Sequence, residues 1–131
     1  MKELRLEAAI PARHRLAERT VIRLRELESE KFIGYCEEKF PGRNQTITKA
    51  CTSAGFQPTL AVKANSLVEV LGMIGAGVGV CLMPSDVRNL PHPNVVFVPL
   101  NDALEPIRLA AAWLHDNRNS ALLSMLGYLK D

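Results

Sequence analysis

Two hydrophobic periodicities alternate along this chain, and that alternation limits the folds that it can adopt. Apolar, strand-like segments are interleaved with segments whose apolar residues recur at helical spacing. The predicted strands cover residues 4–10, 31–36, 59–64, 78–83, 95–98 and 107–114. The predicted helices cover residues 24–30, 44–54, 66–74, 85–89 and 120–129. This order indicates an α/β fold, with a doubly wound, mostly parallel sheet and helices on both faces.

Two of these helices carry clear start signals or end signals. In the helix at 44–54, Asn44 is a plausible N-cap and Gly55 stands where a C′ glycine is expected. Its apolar residues share one face, at Ile47, Ala50, Cys51 and Ala54. The helix at 66–74 opens with SLVE, which matches a capping box formed by Ser66 and Glu69.

Three glycines at alternate positions, Gly75, Gly77 and Gly79, look at first like a phosphate-binding loop. In dinucleotide and P-loop sites the glycines follow a strand and open a helix, because the phosphate rests on the helix N-terminus. Here they follow a predicted helix and open a predicted strand, and the spacing lacks GxGxxG. We therefore expect Gly75 and Gly77 to end the helix in a left-handed conformation and Gly79 to permit close strand packing.

The composition favours a globular domain with an aliphatic core. Hydrophobic residues make up 47% of the 131 residues and aromatic residues only 5%. A net charge of +2 does not provide the strongly basic face that nucleic-acid binding requires. The three cysteines form no CxxC pair, and the first residues lack the apolar region of a signal peptide. These features predict a cytoplasmic protein that does not enter a membrane.

Several segments resemble the effector-binding domain of LysR-type transcriptional regulators. The segment SLVEVLGMIGAGVGVCLMP at 66–84 is similar to the family signature of a helix, a glycine-rich turn and an apolar strand that ends in proline. The other similar segments, in the family's order, are HRLA at 14–17, IRLRELESEKFI at 22–33, CTSAGFQP at 51–58, VVFVPL at 95–100 and IRLAAAW at 107–113. Each segment alone is weakly specific, but together they span nearly the whole chain.

The resemblance implies half of a domain that is similar to a type 2 periplasmic binding protein. Such domains have two Rossmann-like subdomains joined by two crossing strands, and residues 1–131 resemble the second subdomain as a single unit. The crossing strands would be residues 4–10 and 107–114, one of them antiparallel to the rest of the sheet. The first subdomain and the winged helix-turn-helix of the family have no counterpart in this sequence, so DNA would be reached only through a missing N-terminal domain.

The resemblance also implies a function as a sensor rather than an enzyme. It implies a small-molecule effector, no cofactor, and a homo-oligomer whose interface includes the helix at 66–74. Two alternatives remain open. One is a truncated regulator that acts as an interaction protein on full-length partners, and the other is a solute-binding protein or an enzyme on the same fold.

The candidate effector site is the loop that enters the helix at 44–54, with Gly42, Arg43, Asn44 and Gln45 as the contacts. It joins the C-terminal end of a predicted core strand to a helix N-terminus, where ligands of open α/β sheets gather. The free amides and dipole of that helix favour an anion. In the family the matching loop faces the effector cleft. With the free amides of Gln45 and Thr46 and the cationic Arg43, the loop is expected to bind a carboxylate-bearing effector.

Other polar groups give weaker signals. Cys51 lies where a peroxide-sensing branch of the family has a cysteine, but the partner position holds Gly42, so buried thiols are the favoured interpretation. The histidines lack ligand spacing, so no metal site is predicted. A basic set is interleaved with Glu18, Glu26 and Glu28, which is typical of a solvated face but leaves an acidic partner open. That set comprises Arg13, Arg15, Arg19, Arg23 and Arg25.

Overall fold

The computed structural model describes residues 5–90 and 92–102. Within these ranges the chain forms five strands: β1 (Leu6–Pro11), β2 (Lys31–Tyr35), β3 (Thr59–Ala64), β4 (Cys81–Pro84) and β5 (Val95–Pro99). They alternate with two α-helices, α1 (Arg43–Ser53) and α2 (Leu67–Gly75), and with two 3₁₀ helices, Leu24–Leu27 and Ser85–Asn89. The predicted strand at 107–114 and the predicted helix at 120–129 lie outside the described residues.

The first strand lies inside the sheet, between β4 and β5, and runs antiparallel to both of them. β1 pairs antiparallel with β4 on one side and with β5 on the other. β2 pairs parallel with β3. A parallel bridge between Phe32 and Val80 joins the two groups, through Ile33 N–H to Val80 O and Val80 N–H to Lys31 O, both at 2.8 Å. The resulting order is β3-β2-β4-β1-β5, in which β1 alone runs opposite to the others.

Burial explains why the central strands have continuous apolar sequences. Every residue of β4 is buried, and Ala8, Ala9 and Ile10 of β1 are fully inaccessible to water. A strand that is covered on both faces has no polar side to alternate with its apolar side. The expectation of an α/β sheet covered by helices, with one antiparallel strand, is confirmed.

Helix α2 begins and packs as its sequence predicts. The Ser66 Oγ accepts a hydrogen bond from the Glu69 N–H at 3.1 Å, which caps the helix. Its apolar residues at helical spacing form one stripe that is buried against this chain's own core, at Leu67, Val70, Leu71 and Ile74. Val68 is the apolar residue that α2 leaves most exposed, at 65%. An interface built on α2 would therefore use its outer surface rather than this stripe.

Three of the predicted glycine roles are correct and one is wrong. Gly55 and Gly77 adopt the left-handed conformation after α1 and α2, with φ of 99° and 82°. A Cβ on Gly79 would lie 2.5 Å from the carbonyl oxygen of Lys31, so this glycine allows the close approach that forms the parallel bridge. Gly75 does not end α2 in the left-handed region but is its last helical residue, where a Cβ would collide with His92.

The predicted helix at 24–30 is shorter than expected. It is a 3₁₀ turn over Leu24–Leu27, because Leu24 and Leu27 are fully buried while the residues beyond them turn back to enter β2. Two further hydrogen bonds between residues three apart continue that turn, from Glu28 N–H to Arg25 O and from Glu30 N–H to Leu27 O. Packing of two leucines therefore decides the length of this element.

Candidate functional site

The candidate site lies where β2 ends and α1 begins. The connecting loop rises from Tyr35, and Gly42 precedes the helix with a left-handed φ of 90°. A glycine has no side chain to cap the first turn, and no side-chain hydrogen bond caps α1. The loop thus presents the amide end of an 11-residue helix at the carboxyl edge of the sheet.

Asn44 does not cap α1, which corrects the prediction from sequence. It is the second residue of the helix, and its side chain reaches back to the end of β2. Its Oδ1 accepts from the Tyr35 N–H at 2.7 Å, and its Nδ2 donates to the Tyr35 carbonyl at 2.8 Å. A Cβ on Gly34 would lie 3.0 Å from that Oδ1, so the glycine makes room for this contact. The Asn44 amide therefore makes the two hydrogen bonds that a neighbouring strand would make with Tyr35, and it fixes α1 to β2.

Glu37 supplies a carboxylate to the same helix end. Its Oε1 accepts from the Gly42 N–H at 3.2 Å, and its Oε2 accepts from the Asn44 Nδ2 at 3.1 Å. Glu37 is itself exposed. Sequence reasoning did not select this residue, although its acidic side chain precedes a helix start, where negative charge is stabilising.

Arg43 is part of the core beneath the loop rather than a charge at its surface. Only 3% of it is exposed. Its guanidinium carbon lies 4.4 Å from the ring centre of Phe40 and 5.1 Å from that of Tyr35, as in cation–π contacts. Burial raises the pKa of Tyr35, and the charge and hydrogen bond of Arg43 oppose that rise. The direct effector contact that the sequence predicts would therefore require Arg43 to leave this stack.

The remaining residues of the first turn, Gln45 and Thr46, differ in whether their polar groups can contact a ligand. Gln45 is exposed. The Thr46 N–H donates to the Gly42 carbonyl at 3.1 Å, so the expectation that this amide is free is wrong. The structure thus brings Gly42, Asn44 and Gln45 together at one helix end, with Glu37 bound across it. This arrangement can bind one carboxylate group.

Two of the three described cysteines, Cys51 and Cys81, are buried thiols, as the sequence predicts. Cys51 and Cys81 are inaccessible to water, and the Cys81 thiol donates weakly to the Ile33 carbonyl at 3.4 Å. Burial raises the pKa of each thiol to about 12, which disfavours the reactive thiolate. Cys36 is partly exposed.

The described ranges contain neither a candidate metal cluster nor a helix that could span a membrane. Between residues 5 and 102, residue 91 aside, no three His, Cys, Asp or Glu side chains come together in a group that could hold a metal ion. In the same part of the chain, neither α-helix has the length and apolar character needed to cross a bilayer.

Comparison with known proteins assigns the chain to a family. The family model described as the LysR substrate binding domain matches residues 2–131. The HTH-type transcriptional regulator AlsR of Bacillus subtilis (strain 168) is 28% identical over 85% of this chain, which corresponds to 37% of AlsR. The chain therefore spans little more than a third of the length of this relative.

Solved structures show the same fold. The BenM effector binding domain with its effector benzoate superposes with a TM-score of 0.69 at 21% identity, covering 99% of this chain and 64% of that one. The effector binding domain of QuiR in complex with shikimate gives a TM-score of 0.66 at 16% identity, covering 87% of this chain and 59% of that one. From the matched family model, together with this fold, the chain belongs to the LysR substrate-binding domain family, the effector-binding domains of LysR-type transcriptional regulators.

Proposed function

We propose that this chain is the second subdomain of an effector-binding domain, and that it binds a small carboxylate at the N-terminus of α1. The family and the fold support an effector-sensing function. BenM and QuiR are seen with benzoate and shikimate, and both of those effectors carry a carboxylate. The bound group would contact Gly42, Asn44 and Gln45.

The observation that carries this proposal is the position of the Glu37 carboxylate. It already accepts hydrogen bonds from the Gly42 N–H and the Asn44 Nδ2, at 3.2 and 3.1 Å. One proton of the Asn44 amide serves the Tyr35 carbonyl, so the other is available to an acceptor at this helix end. Because Glu37 is exposed, it can swing into solvent, and an effector carboxylate takes its place with the same two donors.

Effector binding would be transmitted to the sheet through the hydrogen bonds between Asn44 and Tyr35. Its side chain holds α1 to the last residue of β2, so an effector bound to the first turn is also bound to the sheet. In a two-subdomain protein the other cleft wall would contact the rest of the effector. The effector can shift the domain toward the closed state only by binding that state more tightly.

Membership of the family supports a proposal for the partners of this chain. The regulator would be a homo-oligomer that contacts DNA through a separate N-terminal domain and responds to the effector through the relative positions of its subunits. A regulator that acts on bacterial DNA works in the cytoplasm, and we propose that location for this protein. The small net charge of +2 supports a sensing module rather than a DNA-binding module.

The test is calorimetric titration of a protein in which this chain is joined to the first subdomain, using benzoate, shikimate and other small carboxylates as probes. Each charge-assisted hydrogen bond contributes about 1.5–3 kcal/mol, or roughly ten- to a hundred-fold in affinity. Asn44→Ala should therefore lower the affinity at least tenfold, and Gln45→Ala should lower it by less.

Lys49→Ala provides the matched control, because Lys49 is exposed on α1 one turn beyond Gln45. It should leave the affinity unchanged. Circular dichroism would verify that Asn44→Ala remains folded. If a carboxylate binds and both Asn44→Ala and Gln45→Ala bind it as tightly as the parent protein, the loop is only a connection between β2 and α1.

A further inference from the structure

A cleft lies beside β5, on the side of the sheet that is far from the N-terminus of α1. It has a volume of about 370 Å³ and forms where Ile22 joins the sheet as a parallel partner of Leu100. Ile22 N–H donates to Pro99 O at 3.0 Å, and Asn101 N–H donates to Ile22 O at 2.8 Å. The residues that line the cleft are Arg19, Val21, Ile22, Arg23, Glu26 and Asn101.

This cleft is separate from the helix end at α1. In the strand order, β4, β1 and β5 lie between β2 and the Ile22 segment. Four strand spacings of about 4.8 Å separate them. The cleft therefore does not share its residues with the proposed effector site.

Glu26 holds the cleft in shape. Its Oε1 contacts Arg19 Nη1 at 3.2 Å, and its Oε2 accepts from the Arg23 backbone N–H at 2.9 Å. These contacts, the backbone hydrogen bond first, lower the pKa of Glu26, so it stays ionised at neutral pH. Both of its oxygens are engaged, and it orients Arg19 rather than offering a free acceptor.

The cationic groups outnumber this carboxylate. Arg19 and Arg23 are exposed at the cleft, and among residues 5–90 and 92–102 the Arg23 guanidinium has no ion pair and no side-chain hydrogen bond. Arg15 lies nearby, but its Nη2 donates to the Glu26 carbonyl at 2.7 Å and is paired with the Glu30 carboxylate at 3.7 Å, so it adds no unpaired charge to the cleft. Beneath them the cleft floor is apolar, since Ile22 is buried and Val21 is 38% exposed.

We propose that this cleft binds the oxyanion of a small organic molecule, with the anion on Arg23 and Arg19 and a short apolar body on Val21 and Ile22. A guanidinium binds a carboxylate or a phosphate through two parallel N–H donors. The volume lies within the range of small-molecule sites, about 300–1,000 Å³. Asn101, exposed at the rim, supplies a neutral polar group beside the two arginines. The cleft is thus a second ligand site of this domain.

The test uses this chain and two probes, butyrate and butyl phosphate, whose apolar bodies match while their anions differ. Calorimetry or NMR titration should give saturable binding, with amide shifts at Arg23 and Asn101. Arg23→Ala should weaken binding of the preferred probe at least tenfold, and the probe that binds more tightly identifies the anion. Arg23→Gln, which keeps the side-chain length, should weaken it in the same way.

Arg25→Ala is the matched control. Arg25 is also exposed and follows Arg23 closely, but it does not line the cleft and contacts only Glu28, at 3.9 Å, among its described ion pairs. The Arg25 variant should bind like the parent chain. The proposal is overturned if neither probe binds saturably at tens of millimolar, or if Arg23→Ala and Arg25→Ala weaken binding equally. The second result would mean diffuse attraction to a basic surface.

Discussion

Arg88 binds the buried carboxylate of Glu7 through two donors, with its Nε 3.0 Å from Oε1 and its Nη2 in contact with Oε2. Glu7 lies on the interior strand β1, opposite Met83 of β4 and Pro99 of β5. Arg88 belongs to the 3₁₀ helix that follows β4. This ion pair therefore fixes the helix Ser85–Asn89 to the strand that runs against the rest of the sheet.

Replacing Arg88 by alanine should lower the free energy of unfolding by about 1–3 kcal/mol, because a buried carboxylate loses its partner. Urea denaturation would measure the change. The double variant with Glu7→Gln should recover part of the loss, since a neutral amide costs less to bury. Arg13→Ala, at an exposed site, should stay within about 0.5 kcal/mol of the parent. An Arg88→Ala variant as stable as Arg13→Ala would show that solvent replaces the arginine.

Replacing Glu37 by glutamine should raise the affinity for a carboxylate effector severalfold in the two-subdomain protein. The substitution removes the negative charge that occupies the end of α1 and repels an incoming anion. Calorimetry would measure the affinity, with Glu38→Gln as the exposed neighbour for comparison. Equal affinities for the two variants would mean that Glu37 does not compete with the effector.

Two glycine substitutions should change stability in opposite directions. Gly79→Ala should destabilise the fold by about 1–3 kcal/mol, because the added methyl would lie 2.5 Å from the Lys31 carbonyl oxygen. Gly72→Ala should stabilise it by about 0.5–1 kcal/mol, because Gly72 is inside α2 and its added methyl would meet nothing within 4 Å. Thermal and urea unfolding of the two variants would measure both changes. If both variants shift stability in the same direction, the packing at one of these glycines differs from that described.

The thiols should react in an order set by burial. A thiol reagent at pH 8 should modify Cys36 first, because it is partly exposed while Cys51 and Cys81 are fully buried. Cys51 and Cys81 should react only when the chain unfolds. Mass spectrometry of peptides after timed labelling would identify each site. Early modification of Cys81 would mean that β4 opens readily.

Alkaline pH should destabilise the fold through the same two thiols. Their pKa rises from 9.0, the ordinary value of a cysteine thiol in water, to about 12 in the folded chain, so the unfolded chain ionises first. The stabilisation is complete below about pH 9 and is lost as pH rises toward 12, by about 1.4 kcal/mol per thiol for each pH unit. Urea unfolding between about pH 7.5 and 10 would measure this slope, and Cys81→Ala should reduce it.

The sequence by itself determined the features that a few neighbouring residues encode. The capping box at Ser66 and Glu69 predicted the start of α2, and Gly55 predicted the end of α1. The alternation of strands and helices predicted the class of fold. These features depend on local hydrogen bonds, on backbone conformation and on periodic burial, all of which can be read within about a dozen residues.

Tertiary structure decided the features that depend on distant residues. The sequence did not indicate that Arg43 would stack on Tyr35 and Phe40, or that Asn44 would bind the end of β2 instead of capping α1. It did not place Ile22 beside Leu100, a pairing that brings Arg23 and Asn101 to one cleft. Such contacts join segments whose separation along the chain carries no periodic signal. These contacts form because buried polar groups need hydrogen-bond partners, and the packing of the whole chain determines which partners lie within reach.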